Sequence, residues 1–467
     1  MIEGTPIADG EAQRSEWEEI LGDANNELAD YDEAFLHYAR AMALMKETSP
    51  RWRVGRLARV MKNVALQIRL RLWNTRPDAH STMDRRKLQR TAHIRERLAE
   101  RHFFLNESLA VLDETLSALN LAERGGATTE AISGYSALGL GLGMSGLQTV
   151  GRYYCARALR VADEIGNLPV IARAHLLAAV FGYGMGEWEF TERCAQHALG
   201  LYRQLGDRSR WHAPVTILAF SSILRGNLLT TEKLLSDLET MISTESTHQA
   251  RAWHAAAVVL FNLMRNRTEA DQLLRLNELT QMRLVRADRL LCLGILSSAL
   301  LQRQEAKEAL DAAERGLAVL REVDVVWGSY VYGIVGITEV LLARWAEDKD
   351  RRDVGSYARS QALLACKHAA RATRMSPVCR PQALLVQGRA ALLSGKPVKA
   401  QRLWGDAARA AEQLQMPREL GLALYEIGRT KSHDDPERSS NLVKAADIFE
   451  GVGVQPDLAA VRRALSV

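Results

Sequence analysis

Apolar side chains recur along this chain at steps of three and four, the spacing that puts them on one face of an α-helix. Trp17, Leu21 and Leu28 mark one such stretch, and Phe35, Tyr38, Ala41 and Leu44 mark the next. Small residues punctuate the pattern at fixed offsets. Gly22, Ala34, Tyr38 and Ala41 form one set, Gly139, Gly151, Cys155 and Ala158 a second, and Gly388, Ala400, Trp404 and Ala407 a third. In each set the later three stand at +12, +16 and +19 from the first, the footprint of a repeated helical hairpin. Small residues there let two antiparallel helices approach closely beside one bulky group. A hairpin of this kind cannot bury its apolar face alone, so neighbours must stack. The pattern predicts an all-α, right-handed α-α superhelix with almost no sheet.

A second register supports the same reading. Gly146, Gly186, Gly226 and Asn266 recur at every fortieth position, and Gly166 and Gly206 keep the same interval, each at a predicted end of a helix. Pro169, Pro214, Pro377, Pro381 and Pro417 fall between units, where proline can begin a helix or block its extension. At this period about eleven or twelve hairpins fill the chain. Four parts are expected: a first hairpin over 1–50, a basic amphipathic segment over 51–102, a repeat array over 103–430, and a polar loop with capping helices over 431–467.

The run Ala29-Asp30-Tyr31-Asp32-Glu33-Ala34 resembles the inter-helix turn of a tetratricopeptide repeat. The resemblance implies a superhelix of TPR-like hairpins, although the usual unit is shorter, about 34 residues. Phe104 to Leu109, Asn120 to Arg124 and the ending Ala446 to Gly453 resemble the C-terminal helical arm of bacterial ATPase-linked class III nucleotide cyclases and related multidomain regulators. In that family the arm follows a cyclase or kinase domain and a P-loop ATPase module. Neither is found in this sequence, so the resemblance implies a regulatory interaction arm.

Composition narrows the class further. Of 467 residues 47% are hydrophobic and only 6% aromatic, a balance that favours helix over strand. The net charge of +5 is mild for this length and argues against a direct nucleic-acid binder. Five scattered cysteines without a CxxC pair suggest reduced thiols. A polar, acidic N-terminus and the lack of a long apolar run lead us to expect a cytoplasmic protein without a membrane span.

Catalytic and cofactor motifs are sparse. Gly141, Gly143 and Gly146 match GxGxxG, but the preceding residues read as a repeat helix, whereas a dinucleotide site needs a strand there. Walker A, HExxH and GxSxG sequences are absent from the sequence. The histidines do not cluster at ligand spacing, and Cys155 and Cys194 sit where small packing residues belong. No cofactor, no metal and no catalytic residue is therefore expected, and the chain is read as a non-enzyme.

Two surfaces could hold a partner. Over 51–102, Val54, Leu57, Met61, Val64 and Ile68 step by three or four among Arg51, Arg53, Arg56, Arg59, Lys62 and Arg69. Arg85, Arg86, Lys87 and Arg90 extend the charge. The simplest expectation packs the apolar stripe inward beneath a solvated basic face; the alternatives are docking to an acidic partner and, behind that, to an anionic membrane or nucleic acid. The second surface is the concave face that TPR helices present. It begins polar, with Glu19, Asp23, Asn26 and Glu27, and becomes apolar at Leu176, Val180, Tyr183, Thr216, Phe220, Ile223, Leu260 and Leu263. Such a groove suits an amphipathic helix, unless the superhelix buries it against itself or a second copy. The leading expectation is an interaction scaffold or regulatory adaptor with Tyr183, Phe220, Ile223 and Leu263 as central contacts and Asp23, Asn26, Arg85, Arg86, Lys87 and Arg90 beside them. The alternatives are a sensor of a small molecule or peptide, and an accessory subunit of a cyclase or ATPase signalling system.

Overall fold

The computed structural model describes residues 6–27, 31–50, 52–73, 82–104, 107–126, 128–242, 246–323, 328–348 and 352–466. Among them are twenty-two α-helices, three short 3-10 turns and no strand. The all-α expectation holds, and the helix number matches eleven hairpins. Residues 28–30, in the first expected turn, and 74–81, inside the basic segment, lie outside the described residues.

The chain divides into two compact units, one built from residues 1–142 and 147–177 and the other from 143–146 and 178–467. The first unit contains α1 (Pro6–Glu27), α2 (Tyr31–Leu44), α3 (Arg53–Trp73), α4 (Thr82–Phe104), α5 (Ser108–Gly125), most of α6 (Thr128–Met144), α7 (Gln148–Ile165) and the start of α8 (Leu168–Met185). The second continues through α9 (Trp188–Leu205), α10 (His212–Leu224), α11 (Leu228–Met241), α12 (His248–Arg265), α13 (Ala270–Gln281), α14 (Arg286–Gln302), α15 (Ala306–Glu322) and α16 (Val331–Glu347). It closes with α17 (Arg352–Met375), α18 (Arg380–Leu393), α19 (Pro397–Gln413), α20 (Pro417–Arg429), α21 (Pro436–Val452) and α22 (Gln455–Ser466).

Both sequence registers have a physical basis. A β-carbon at Gly22 would lie 2.6 Å from the Tyr38 ring, one at Gly139 2.6 Å from the Cys155 sulfur, and one at Gly388 would overlap the Trp404 indole. The shared +16 offset thus marks where a bulky side chain of one helix lies against the bare backbone of its partner. The longer register is a backbone device. Gly146, Gly186, Gly226 and Asn266 have φ of 85°, 76°, 71° and 55°, the left-handed conformation that ends a helix and turns the chain back.

The second unit folds back on itself. Trp188 donates its indole N–H to the Leu414 carbonyl at 2.6 Å, and the Ser376 hydroxyl donates to Gly184 O at 2.9 Å. These contacts join positions 226 and 192 apart in the chain. Gly226 faces Pro417 and Val452. The apolar inner face is therefore covered by the chain's own later hairpins.

Candidate functional site

Helix α3 carries the most unusual surface. Val54, Leu57, Met61 and Ile68 expose 80%, 54%, 62% and 52% of their surface, although they form one apolar stripe. The opposite side is polar and faces inward, with Asn63 and Gln67 at 9% and 3%. Val60 and Leu70 are the apolar members of that buried side. The expectation of an apolar stripe packed inward is thus corrected: α3 is turned the other way.

The reason is a polar ladder on α5. The Arg59 guanidinium donates to both Asp113 carboxylate oxygens at 2.6 and 2.5 Å and to Glu114 at 2.8 Å. One step on, the Asn63 amide donates to the Ser117 hydroxyl at 2.8 Å and accepts from Asn120 at 3.1 Å. The Gln67 amide then donates to Asn120 and Glu123, each at 2.7 Å, and Arg71 donates to Glu123 at 2.5 Å. Rungs at 59, 63, 67 and 71 meet partners at 113, 117, 120 and 123 in the same order, so the two helices run parallel. Burial alone would push the Glu114 carboxyl up. Arg95 and Arg59, with a hydrogen bond from Ser49, outweigh it and hold that carboxyl below its usual value. The Tyr135 hydroxyl, buried and bonded to Glu123, is pushed up to about 12. Facing the other way is energetically tolerable because each of the four inward side chains hydrogen-bonds to α5, although the Arg71 Nε itself is left without a partner.

The stripe is flanked by cations. Arg53, Lys62 and Arg69 are exposed and form no ion pair among the described residues. Arg85 and Arg86, on α4, are exposed in the same way, whereas Lys87 stands 3.8 Å from Glu47. α3 contains no acidic residue.

The polar end of the expected groove is occupied internally. Arg90 on α4 donates to Glu19 at 2.6 Å and to Ser15 at 3.2 Å. Asp23 accepts from the Tyr38 hydroxyl at 2.7 Å and lies 3.1 Å from His93 Nε2. Burial pushes the Asp23 carboxyl up, but hydrogen bonds from His93 and Tyr38 bring it below its usual value. The bond to Asp23 raises His93 against its own burial. Asn26 is half-buried on the same helix. Arg90 and Asp23, expected as partner contacts, are instead ties among α1, α2 and α4.

The apolar contacts require a second correction. Tyr183, Phe220 and Ile223 are 5%, 2% and 1% exposed and belong to the core of the second unit. Of the two readings for this face, burial by the chain itself is the observed one. Leu263 is partly buried and lines a small cavity of about 50 Å3 among α12, α14, α16, α18 and α20. Sequence inspection missed this cavity, because its polar residues are spread in ones and twos over α14, α16, α18 and α20.

The five cysteines are buried and none forms a disulfide, and burial pushes Cys366 and Cys379 up to about 12. Gly141 and Gly143 lie inside α6, with no strand before them. Among the described residues no three His, Cys, Asp or Glu side chains gather to hold a metal. Helix α8 is long and apolar enough to cross a membrane by composition, but 56% of that window is buried within the protein.

No protein-family profile matches the chain, and no curated protein does. Solved structures similar to it include a monomeric mutant of IFIT1 with m7Gppp-AAAA, at 12% identity, covering 80% of this chain and 83% of that one with a TM-score of 0.45. A circular tandem repeat protein with a novel repeat topology matches over 98% and 95% of the two chains, at 12% identity and a TM-score of 0.18.

Proposed function

We propose that the protein is a helical-repeat interaction scaffold that holds a protein partner on the outward face of α3, not in the concave groove. The observation that carries this reading is the inverted helix: Val54, Leu57, Met61 and Ile68 form an exposed apolar ridge while the polar side is buried on α5. Apolar patches left exposed in this ordered way serve contacts with partners. At 1.5 Å per residue the ridge is about 21 Å long, four turns of a facing helix. Arg53, Lys62 and Arg69 flank it without ion-pair partners among the described residues, so the matching occupant is an amphipathic helix with acidic edges. The chain's net charge of +5 gives little long-range pull toward an anionic bilayer, which favours the protein over the lipid surface. A regulatory adaptor role, in the cytoplasm and beside a separately encoded cyclase or ATPase, would follow if the partner belongs to such a system.

The test is affinity capture by the intact chain, read by quantitative mass spectrometry. Leu57→Asp with Met61→Asp is compared with Val398→Asp, an exposed apolar position in the second unit. The reading predicts a partner that is lost with the α3 pair, kept with Val398→Asp, and displaced by its own acidic amphipathic segment made as a peptide. Capture unchanged by the α3 pair overturns it, as does α3-dependent binding to anionic vesicles with no protein captured.

A further inference from the structure

The cavity of the second unit has a charged wall in which one carboxyl is incompletely partnered. Arg389 donates to Glu426 at 2.7 Å and to Glu339 at 2.8 Å, and Arg418 donates to Asp457 at 2.8 Å. Arg429 closes on the other oxygen of Glu426 at 2.5 Å. Glu419 lies beside Arg418 but receives no hydrogen bond from any of these guanidiniums. One of its oxygens accepts from the Gln382 amide at 2.8 Å, and the other has no hydrogen-bond partner although the residue is 1% exposed. The Gln382 carbonyl oxygen is also without a hydrogen bond, on a residue 4% exposed. The cavity wall thus carries two guanidiniums, Arg389 and Arg418, and two carboxyls, Glu339 and Glu419, and of these Glu419 has a buried oxygen without a hydrogen bond.

We propose that this cavity binds a small aliphatic primary amine, whose ammonium group sits between the free oxygens of Glu419 and Gln382. An ammonium brings three N–H donors and a positive charge beside Glu419, and the site offers two unused buried acceptors. The remaining wall suits an aliphatic tail: Leu260, Leu263, Ile295, Val335, Val386 and Leu422 line it. Entry is open, since Glu339 and Arg389 keep 32% and 26% of their side-chain surface accessible. A buried carboxylate with an unbonded oxygen is costly, so Glu419 holds a proton more readily than usual; burial raises its carboxyl against the pull of Arg418 and Gln382. The amine takes the place of that proton. Tyr332, whose hydroxyl is also buried here, stays neutral. This site is independent of the α3 surface.

The experiment is calorimetric titration of the intact chain with n-butylamine, beside n-butanol as the uncharged analogue of the same length. The amine should bind and the alcohol bind at least about tenfold more weakly, the weight of roughly one buried charge interaction. Glu419→Gln should remove that preference while leaving the fold intact, because glutamine matches the protonated acid in shape. Amine affinity in the native chain should also fall as the pH is lowered through the raised carboxyl value, since butylamine stays charged while the carboxyl gains its proton. That series reports even if the variant does not fold. Equal response to amine and alcohol, an unchanged preference in Glu419→Gln, or affinity flat with pH would each overturn the proposal.

Discussion

The orientation of α3 makes an unusual forecast about which substitutions destabilise. In an ordinary amphipathic helix, changing an apolar stripe residue to glutamine is harmful, and changing a polar-face glutamine to leucine is harmless. Here both signs should reverse. Gln67→Leu removes two donations, to Asn120 and Glu123, and two acceptances, from Tyr154 at 3.0 Å and Arg71 at 2.9 Å. The two neutral bonds contribute about 1 kcal/mol each and the two charge-assisted ones about 1.5 kcal/mol or more. Burying leucine offsets about 2 kcal/mol of that. The net loss is therefore about 3 kcal/mol. Met61→Gln and Ile68→Gln act on side chains more than half exposed, and each should stay within about 1 kcal/mol, well under the roughly 2–5 kcal/mol of a core truncation. Urea denaturation gives the sign. Hydrogen exchange over 53–73 and 108–125 localises it, because only Gln67→Leu should loosen both helices together. If Met61→Gln costs more than Gln67→Leu, α3 presents its other face and the docking surface is lost with it.

Two further outcomes follow from the packing. His93 is raised and Asp23 lowered by their mutual contact. The histidine's contribution is full below its ordinary value of 6.5 and lost as pH rises through the raised one. The aspartate's is present above 3.8 and lost as pH falls through the lowered one. The tie of α1 to α4 is therefore tightest between these ordinary values. Because both groups are partly exposed, the change is about 0.2–1 kcal/mol; the urea midpoint should fall between pH 6 and 8 in the native chain more than in His93→Gln, and parallel slopes would refute this. Gly333 on α16 crosses α14 so closely that a β-carbon would sit 2.5 Å from Leu290 O, whereas at Gly200 nothing lies within 4 Å. Gly333→Ala should cost about 1–3 kcal/mol and Gly200→Ala stabilise by up to about 1 kcal/mol; thermal melts of opposite sign check it, and equal shifts would contradict the crossing.

What was legible in the sequence is what depends on neighbours. Gly22 against Tyr38 and Gly388 against Trp404 are contacts within one hairpin, and a fixed offset records them. The left-handed glycines that recur at one constant interval record a single turn conformation, repeated. The facing of α3 was not legible, since Arg59, Asn63, Gln67 and Arg71 read singly as a solvated face. The signal lay in a second stretch: Asp113, Ser117, Asn120 and Glu123 carry complementary groups at nearly the same steps, and only comparison of one helix with the other reveals them. The filled groove was hidden for a different reason. Tyr183 and Phe220 look alike whether they meet a partner or, as here, Gly328 and Tyr332, and closure across some 190 to 230 positions leaves no local trace.

The polar interiors of the two units raise a common question of why they are retained. Apolar residues of similar volume would often be as stable as a buried ion pair, or more so. A repeat rich in alanine and leucine has a particular weakness, because any greasy hairpin face can stack on any other. Arg59 on Asp113 and Asn63 on Ser117 can be satisfied together in one register of α3 on α5, and a slip of one turn breaks all four rungs. Specificity rather than stability then explains the ladder, and it also explains α3 facing outward: by turning its polar side in, the helix leaves its apolar side for recognition. An all-apolar redesign of positions 59, 63, 67, 113, 117, 120 and 123 separates these roles. It should retain or raise the melting temperature while broadening α3 into several packings, seen as multiple exchange regimes over 53–73. A single sharply protected α3 in that redesign would show that the ladder specifies nothing.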